Sequence, residues 1–144
     1  MTKNLIFIRP FKNKDETEVV GLWKTCRLTV PWNDPYKDIA RKKKVFPELF
    51  LVGILERRLI ASVMGGYDGH RGWINYLAVH PEFQNKGFGT QMLNILESKL
   101  IGLGCPKVNL HIREGNDIVT EFYKKIGYIS ENVTILGKRL EEDL

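Results

Sequence analysis

The sequence predicts an α/β fold, a mixed sheet packed with helices, and three observations carry that reading. Leu49 to Leu55 and Arg58 to Met64 are β-rich apolar runs separated only by Glu56-Arg57, the pattern of a hairpin. Further on, Phe88, Met92, Leu96, Leu100 and Leu103 recur at helical spacing, with Gly104 and Pro106 as a stop signal. Both periods occur in one chain of 144 residues with no internal repeat, linker or shift of composition, so a single domain over residues 1–144 is expected.

The elements follow in order. Leu5 to Arg9 reads as a first strand, and Asp15 to Cys26, with Val19, Val20, Leu22 and Trp23 apolar, reads as a helix. Pro31-Trp32-Asn33-Asp34-Pro35 is a loop because each proline disfavours helix in the residue before it. Tyr36 to Phe46 then forms a second helix. The hairpin follows, and after the cluster of Gly65, Gly66, Gly69 and Gly72 a third strand of the meander runs from Trp73 to Val79. The helix from Lys86 to Leu103 is a crossover between parallel neighbours. Lys107 to Arg113 alternates as a strand, Asp117 to Ile126 carries the helical stripe Ile118, Val119, Phe122 and Ile126, and Val133 to Leu140 closes the chain as a terminal strand.

Composition narrows the class. Apolar residues are 43% and charged residues 27% of the chain, values of an ordinary globular domain rather than a disordered or fibrous one. Leu49 to Leu55 and Leu59 to Met64, the longest apolar stretches, are far below the roughly 20 residues that span a bilayer. The N-terminus, with Arg9 soon after Leu5-Ile6-Phe7-Ile8 and no small-residue cleavage site, does not read as a secretory signal, so a cytoplasmic protein is expected. Cys26 and Cys105 are too few for a disulfide framework and lack partners at metal-ligand spacing, so no metal is expected. The net charge of +5 decides little by itself. Arg41-Lys42-Lys43-Lys44 reads as the solvated face of an amphipathic helix. A basic RNA-binding domain is disfavoured because the strands lack interleaved aromatic and basic residues, and no nucleic-acid or membrane partner is expected.

Two motifs carry chemistry. Gln84-Asn85-Lys86-Gly87-Phe88-Gly89-Thr90 lies between the strand ending at Val79 and the long helix. Unpaired amides at a helix start, opened by two glycines and backed by the helix dipole, suit a diphosphate, and Lys86 adds positive charge. A tight turn is the other reading of a glycine pair. A dinucleotide site wants a third glycine where Met92 stands, and a P-loop wants Gly-Lys followed by Ser or Thr. The second motif is Asn116 followed by Phe122-Tyr123-Lys124-Lys125-Ile126-Gly127-Tyr128. Asn116 and Tyr123 lie about two helical turns apart and share a face. Asn116 also suits a helix N-cap, and Tyr123 a core aromatic with its hydroxyl toward solvent.

With both motifs in this order, the chain resembles the GNAT superfamily of acetyl-coenzyme A dependent N-acetyltransferases over nearly its whole length. The resemblance implies that fold and transfer of an acetyl group from acetyl-CoA to a primary amine. Within the superfamily, Pro31-Trp32-Asn33-Asp34-Pro35 and Gly65-Gly66-Tyr67-Asp68-Gly69-His70-Arg71-Gly72 are similar to the bacterial YpeA-type group. It further implies that Gln84, Lys86, Gly87, Phe88, Gly89 and Thr90 hold the coenzyme diphosphate. Leu77, Ala78 and Val79 would meet the pantetheine arm and thioester through their backbone, Asn116 would lie beside the arm, and Tyr123 would be the general acid.

Neither cysteine has an adjacent base and no Gly-x-Ser-x-Gly elbow exists, so direct attack by the amine is expected rather than an acyl-enzyme. The Val79 N–H is the candidate for stabilising the carbonyl oxygen. A phenol near pKa 10 against a thiol near 8.5 makes full proton transfer from Tyr123 slightly uphill, so hydrogen bonding serves. His111 is the candidate base, because imidazole exchanges protons near neutrality; a structural histidine, with water as base, is the alternative. Trp32, Asp34, Tyr67, Asp68 and Glu114 are candidates for acceptor binding, with Asp34, Asp68 and Glu114 offering charge to a cationic amine; the same residues suit surface turns. The partners expected are acetyl-CoA and an unidentified amine, with a homodimer as the assembly to test. A non-catalytic acyl-CoA sensor is the competing function.

Overall fold

The computed structural model describes residues 5–143. Met1–Asn4 and Leu144, which belong to the expected 1–144 domain, lie outside the described residues. The elements are β1 (Phe7–Pro10), α1 (Glu16–Thr25), α2 (Pro35–Lys42), β2 (Phe50–Leu55), β3 (Arg58–Tyr67), β4 (Gly72–Val79), α3 (Phe88–Gly102), β5 (Val108–Leu110) and α4 (Asp117–Lys125), with single 3-10 turns before α1, β2 and α3. The sheet has the order β1-β2-β3-β4-β5. β1 to β4 are antiparallel neighbours, and β4 pairs with β5 in parallel, as the crossover through α3 requires.

Both faces of this sheet are buried, which is why β2 and β3 read as nearly unbroken apolar runs. Leu49, Leu51, Ile60 and Val63 pack with Met92, Leu93, Leu96 and Leu100 of α3 on one face. Phe50, Val52, Leu59 and Met64 pack with Val19, Val20 and Trp23 of α1 and Ile39 of α2 on the other. The alternation of Leu49, Phe50, Leu51 and Val52 between the two cores follows the two-residue period of a strand.

Two irregularities position the site. Tyr76 sits inside β4 with φ of +51°, and the register with β3 shifts there, from Ser62 opposite Ala78 to Met64 opposite Asn75. This is a β-bulge, which bends the strand and strengthens its twist. A buried hydroxyl fastens it: Ser62 Oγ donates to the Tyr76 carbonyl at 3.3 Å while accepting from Trp23 Nε1 at 2.9 Å. The second irregularity follows. β5 pairs with β4 only from Gly72–Val108 to Ile74–Leu110; past the bulge the two strands diverge, so His111 to Arg113 have no ladder to join.

That divergence shortens the strand expected from Lys107 to Arg113. The terminal strand expected from Val133 to Leu140 does not form at all. Ile129, Val133, Ile135, Leu136 and Leu140 are all exposed. β-Branched residues favour strands through packing on a pleated surface rather than by intrinsic preference, and three paired residues of β5 offer little edge. The tail is instead tied down by charge. Lys107 meets Glu131, and Arg41 of α2 meets Glu141 at 2.9 Å and Asp143 at 2.7 Å.

α2 is also shorter than expected. Asp34 caps its start by accepting from the Tyr36 and Lys37 amides at 2.9 and 3.4 Å, with Pro35 at the first helical position. It ends at Lys42, and Phe46 adopts φ of +47° before Pro47.

Candidate functional site

The gap between β4 and β5 opens into a groove of about 1030 Å³, walled by the β4 residues Ile74 to Val79, the chain after β5, α4 and the loop before α2. Of the residues singled out in the sequence, Trp32, Leu77, Ala78, Val79, Gln84, His111, Asn116 and Tyr123 line it. Asp34, Tyr67, Asp68, Glu114 and the loop residues Lys86, Gly87, Phe88, Gly89 and Thr90 are not among its lining residues.

The ladder fixes where the backbone of Val79 points. His80 N–H donates to the Ile60 carbonyl at 2.8 Å, and Ala61 stands opposite Val79. Bonded and non-bonded pairs alternate in an antiparallel ladder, so the N–H and C=O of Val79 turn away from β3 toward the gap. The carbonyl is already engaged there, accepting from Gln84 Nε2 at 2.9 Å and Cys26 Sγ at 3.3 Å. Burial pushes the Cys26 thiol above its ordinary pKa, which keeps it protonated and a donor.

At the same end of β4 lies the start of α3. Gly87 is its N-cap with φ of +86°, and no side chain caps the helix. The amides of the first turn, at Phe88, Gly89 and Thr90, therefore have neither a capping group nor an acidic residue beside them, the arrangement that receives an anion. The Phe88 side chain is buried, so only its backbone is available to a ligand. A Cβ at Gly89 would stand 3.2 Å from Phe122 Cζ and 3.7 Å from Val79 Cγ2, which shows how closely the helix start, the end of β4 and α4 converge. Lys86 reaches over the Phe83 ring, its Nζ 5.9 Å from the centroid.

α4 supplies the facing wall. Asn116 caps it by accepting from the Val119 amide at 3.3 Å, and Asn116, Val119 and Tyr123 share the groove face, as their spacing predicts. The Tyr123 ring packs edge-on against Phe122 and Tyr128 with centroids 5.1 and 5.3 Å away. It is 5% exposed, and its hydroxyl has no hydrogen-bond partner among the described residues. Burial raises its pKa well above the ordinary phenol range, so it stays protonated and acts as a donor. Exposed His111 lies edge-on to Trp73, 5.5 Å between centroids, on the groove wall.

The comparisons with known proteins meet this geometry. Residues 16–128 match the model of the Acetyltransferase (GNAT) family. The chain belongs to the GNAT family. It is 50% identical over 136 residues to a Yersinia enterocolitica protein called acetyltransferase YE1169, covering 94% of this chain and 96% of that one. Among solved structures, it superposes on a metagenomic aminoglycoside acetyltransferase in complex with trehalose with a TM-score of 0.76, at 16% identity over 98% of this chain and 100% of the other. It also superposes on the NatC complex bound to Gag peptide and CoA with a TM-score of 0.74, at 20% identity over 86% of this chain and 84% of that one. These two likenesses are of fold. This GNAT protein is an N-acetyltransferase.

The sequence-predicted acceptor residues of this GNAT protein are arranged differently from one another. Trp32 stands at the groove, 59% exposed. Asp34 is engaged as the α2 cap, and its own amide donates to Asp143 at 2.8 Å. Asp68 accepts from the amides of His70 and Arg71 at 2.8 and 2.7 Å and from Trp73 Nε1 at 3.1 Å. The Arg71 amide first, then the indole, hold its pKa at about 2. Tyr67 leans on Phe46 at 6.5 Å between centroids, and Glu114 is exposed in the turn before α4.

Sequence reasoning missed a polar wall opposite α4. Tyr76 Oη donates to Asp38 at 2.7 Å and accepts from Asn33 Nδ2 at 3.0 Å, and Asn33 also meets Asp38 and Arg139. Asp38, Arg41 and Lys42 project from one side of α2 onto the groove. The run at Arg41-Lys42-Lys43-Lys44 is therefore only half a solvated face: Lys43 and Lys44 are exposed, whereas Lys42 is partly buried. The signal was there in the spacing of residues 38, 41 and 42, but the charge of the run masked it.

The cradle fits a diphosphate-bearing thioester. Its main-chain donors are uncapped, glycine clears their approach, and they adjoin Val79, from which the groove runs to Tyr123. Among the described residues, no cluster of His, Cys, Asp or Glu suits a metal ion, and no helix is long and apolar enough to cross a membrane.

Proposed function

We propose that this N-acetyltransferase takes acetyl-CoA as donor and transfers its acetyl group directly to a primary amine, with residues 1–144 acting as one catalytic unit. One observation carries the reading: the uncapped start of α3 packs against the end of β4, where the backbone of Val79 turns outward, and from Val79 the groove runs along β4 beside the face of α4 that carries Tyr123. Bound acetyl-CoA would supply an activated thioester.

Each residue then has a task. The amides of Gly87 to Thr90 and the ammonium of Lys86 hold the diphosphate. Gln84 fastens the loop to Val79, and Leu77 to Val79 with Asn116 align the pantetheine arm. The Val79 N–H stabilises negative charge growing on the acetyl oxygen. The amine nitrogen forms the new bond to the acetyl carbon as the carbon–sulfur bond breaks, and the proton that nitrogen sheds on becoming an amide passes through water to the departing sulfur, which leaves as the thiol. Tyr123 donates a hydrogen bond to the departing sulfur, and its raised pKa favours that over full proton transfer. His111, directly or through water, takes the proton of the incoming ammonium. Trp32, with Asp34, Tyr67, Asp68 and Glu114 at the periphery, shapes the approach of the acceptor. A cytoplasmic setting, in keeping with the free thiols of Cys26 and Cys105, completes the proposal. A homodimer would cover the apolar side chains exposed between Ile129 and Leu140.

The test is calorimetry with acetyl-CoA followed by thiol release with a panel of amines. Binding with a dissociation constant in the micromolar range and acceptor-dependent thiol release are expected. A folded protein that gives no heat with acetyl-CoA overturns the reading.

A further inference from the structure

The charges lining the acceptor side of the groove are unbalanced. Arg27, Arg41, Lys42, Arg113 and Arg139 line it, against the single carboxylate of Asp38. Arg41 is compensated by Asp38, Glu141 and Asp143, and Arg139 lies 3.8 Å from Asp143. Asp38 is itself spent on Tyr76, Asn33 and Arg41. Arg27, Lys42 and Arg113 have no ion-pair partner among the described residues. These three approach the groove from separate elements: the end of α1, the end of α2 and the chain after β5.

Lys42 is the informative member. A lysine ordinarily keeps its ammonium in water and buries only its stem, yet this one is partly withdrawn from solvent. Desolvation lowers its pKa, only partly offset by the charge of Glu48. It makes no hydrogen bond or ion pair within the described residues. A desolvated cation without a partner is costly in the free protein, and a ligand anion would relieve that cost.

Its position separates it from the diphosphate cradle. Lys42 Nζ lies 3.8 Å from where a Cβ on Gly66 would stand, and Gly66 pairs with Trp73, whereas Val79 pairs with Ala61. Five residues of strand at ~3.3 Å each put the two ends roughly 16 Å apart. The ammonium thus sits toward the far end of the groove from the α3 start, where the part of the acceptor remote from its reacting amine would lie.

Building on the acetyl-transfer reading, we propose that the acceptor is an amine that also carries an anionic group several bonds away, and that Lys42 anchors that anion. Arg27 and Arg113 enlarge the favourable field and repel polyamines, so selection works through repulsion as well as attraction. Specificity for cationic amines through Asp34, Asp68 and Glu114 is the opposite expectation, and the two are distinguished by charge.

The experiment compares glycine, 4-aminobutanoate, 6-aminohexanoate and 8-aminooctanoate with their amides, with 1,8-diaminooctane and with aminoethyl phosphate. Binding is read by calorimetry on the folded protein with and without coenzyme A, and turnover by thiol release. One of the longer amino acids is expected to bind at least about tenfold more tightly than its amide, which at 1.4 kcal/mol per decade is a modest anchoring. Lys42→Met should erase that ratio and Lys42→Arg should retain most of it. Preference for aminoethyl phosphate, which is too short to span from Val79 to Lys42, over every amino acid would place the anion elsewhere and overturn the anchoring by Lys42. Amides or the diamine binding as well as the acids, no binding of any anion, or a ratio that survives Lys42→Met would each overturn the proposal. Failure of coenzyme to bind would strike the acetyl-transfer reading alone, because the acid-to-amide comparison is also made without it.

Discussion

Gln84 Nε2 donates to the carbonyl oxygen of Val79 across 2.9 Å, so the residue that opens the proposed diphosphate loop is bound to the strand that carries the proposed oxyanion donor. The hydrogen bond couples two parts of the site that lie on different elements. Gln84 spends its side-chain amide on the backbone, which makes it a positioning residue.

Removing that bond should therefore loosen the loop without unfolding the protein. A partly exposed hydrogen bond contributes on the order of 1 kcal/mol, so Gln84→Ala should weaken coenzyme A binding by about threefold to tenfold in calorimetry. Gln84→Glu replaces the donor with an acceptor facing the Val79 carbonyl and should be worse than Gln84→Ala. Equal affinity in all three proteins would remove the coupling.

Tyr123 permits a cleaner separation of structure from chemistry. Its hydroxyl makes no hydrogen bond among the described residues yet is not sealed from solvent, so Tyr123→Phe leaves no group orphaned and preserves the edge-on packing against Phe122 and Tyr128. Thermal stability should be unchanged or slightly raised. Turnover should fall by roughly 10²-fold, the scale of a lost hydrogen-bond donor to charge that develops in the transition state, while coenzyme A binding stays within about twofold. A variant that keeps full turnover would take Tyr123 out of the mechanism.

The bulge in β4 makes the opposite prediction for Ser62. Its hydroxyl satisfies the buried Trp23 Nε1 and holds the Tyr76 carbonyl. Ser62→Ala strands the indole N–H in the core, at a cost of about 1–3 kcal/mol, and frees the turn at Tyr76. Chemical denaturation should register the loss of stability, and turnover should drop further than the unfolded fraction explains because the Val79 N–H is no longer held in place. A stability loss with unchanged kcat would confine Ser62 to the core.

These residues show where sequence is informative and where it is not. The α3 stripe and the shared face of Asn116 and Tyr123 are legible because helical periodicity is local. The glycine loop is legible because an uncapped helix start needs residues such as Gly87 to adopt φ of +86°. The bulge is not, since Tyr76 gives no local sign of φ at +51°; contacts from Ser62, Asn33 and Asp38, distant in the chain, impose it. The missing terminal strand has the same origin. Val133, Ile135 and Leu136 have strand-forming side chains, but a strand needs an edge, and the divergence that the bulge produces leaves β5 too short to provide one. Lys42 was hidden differently: within a run of four cations only the backbone's course shows which one turns inward.

The tail provides a prediction in pH. Asp143 accepts from Arg41 Nη2 at 2.7 Å and from the Asp34 amide at 2.8 Å, and these bonds, that from Arg41 first, hold its pKa at about 2, against about 3.9 for a free aspartate. A carboxyl whose pKa is depressed on folding binds its proton more readily in the unfolded chain. Its contribution to stability is therefore full above about pH 4 and is lost as pH falls through about 2. The difference in melting temperature between the wild type and Asp143→Asn should be constant from pH 7 to 5, narrow below pH 4 and close near pH 2, and added salt should reduce it because the Arg41 side of the pair is exposed. Asp143→Asn also leaves Arg41 with less compensation on the groove wall, so its affinity for anionic amines should rise relative to their amides. A gap in melting temperature that persists unchanged to pH 2 would show that the tail is held by packing instead of by this ion pair.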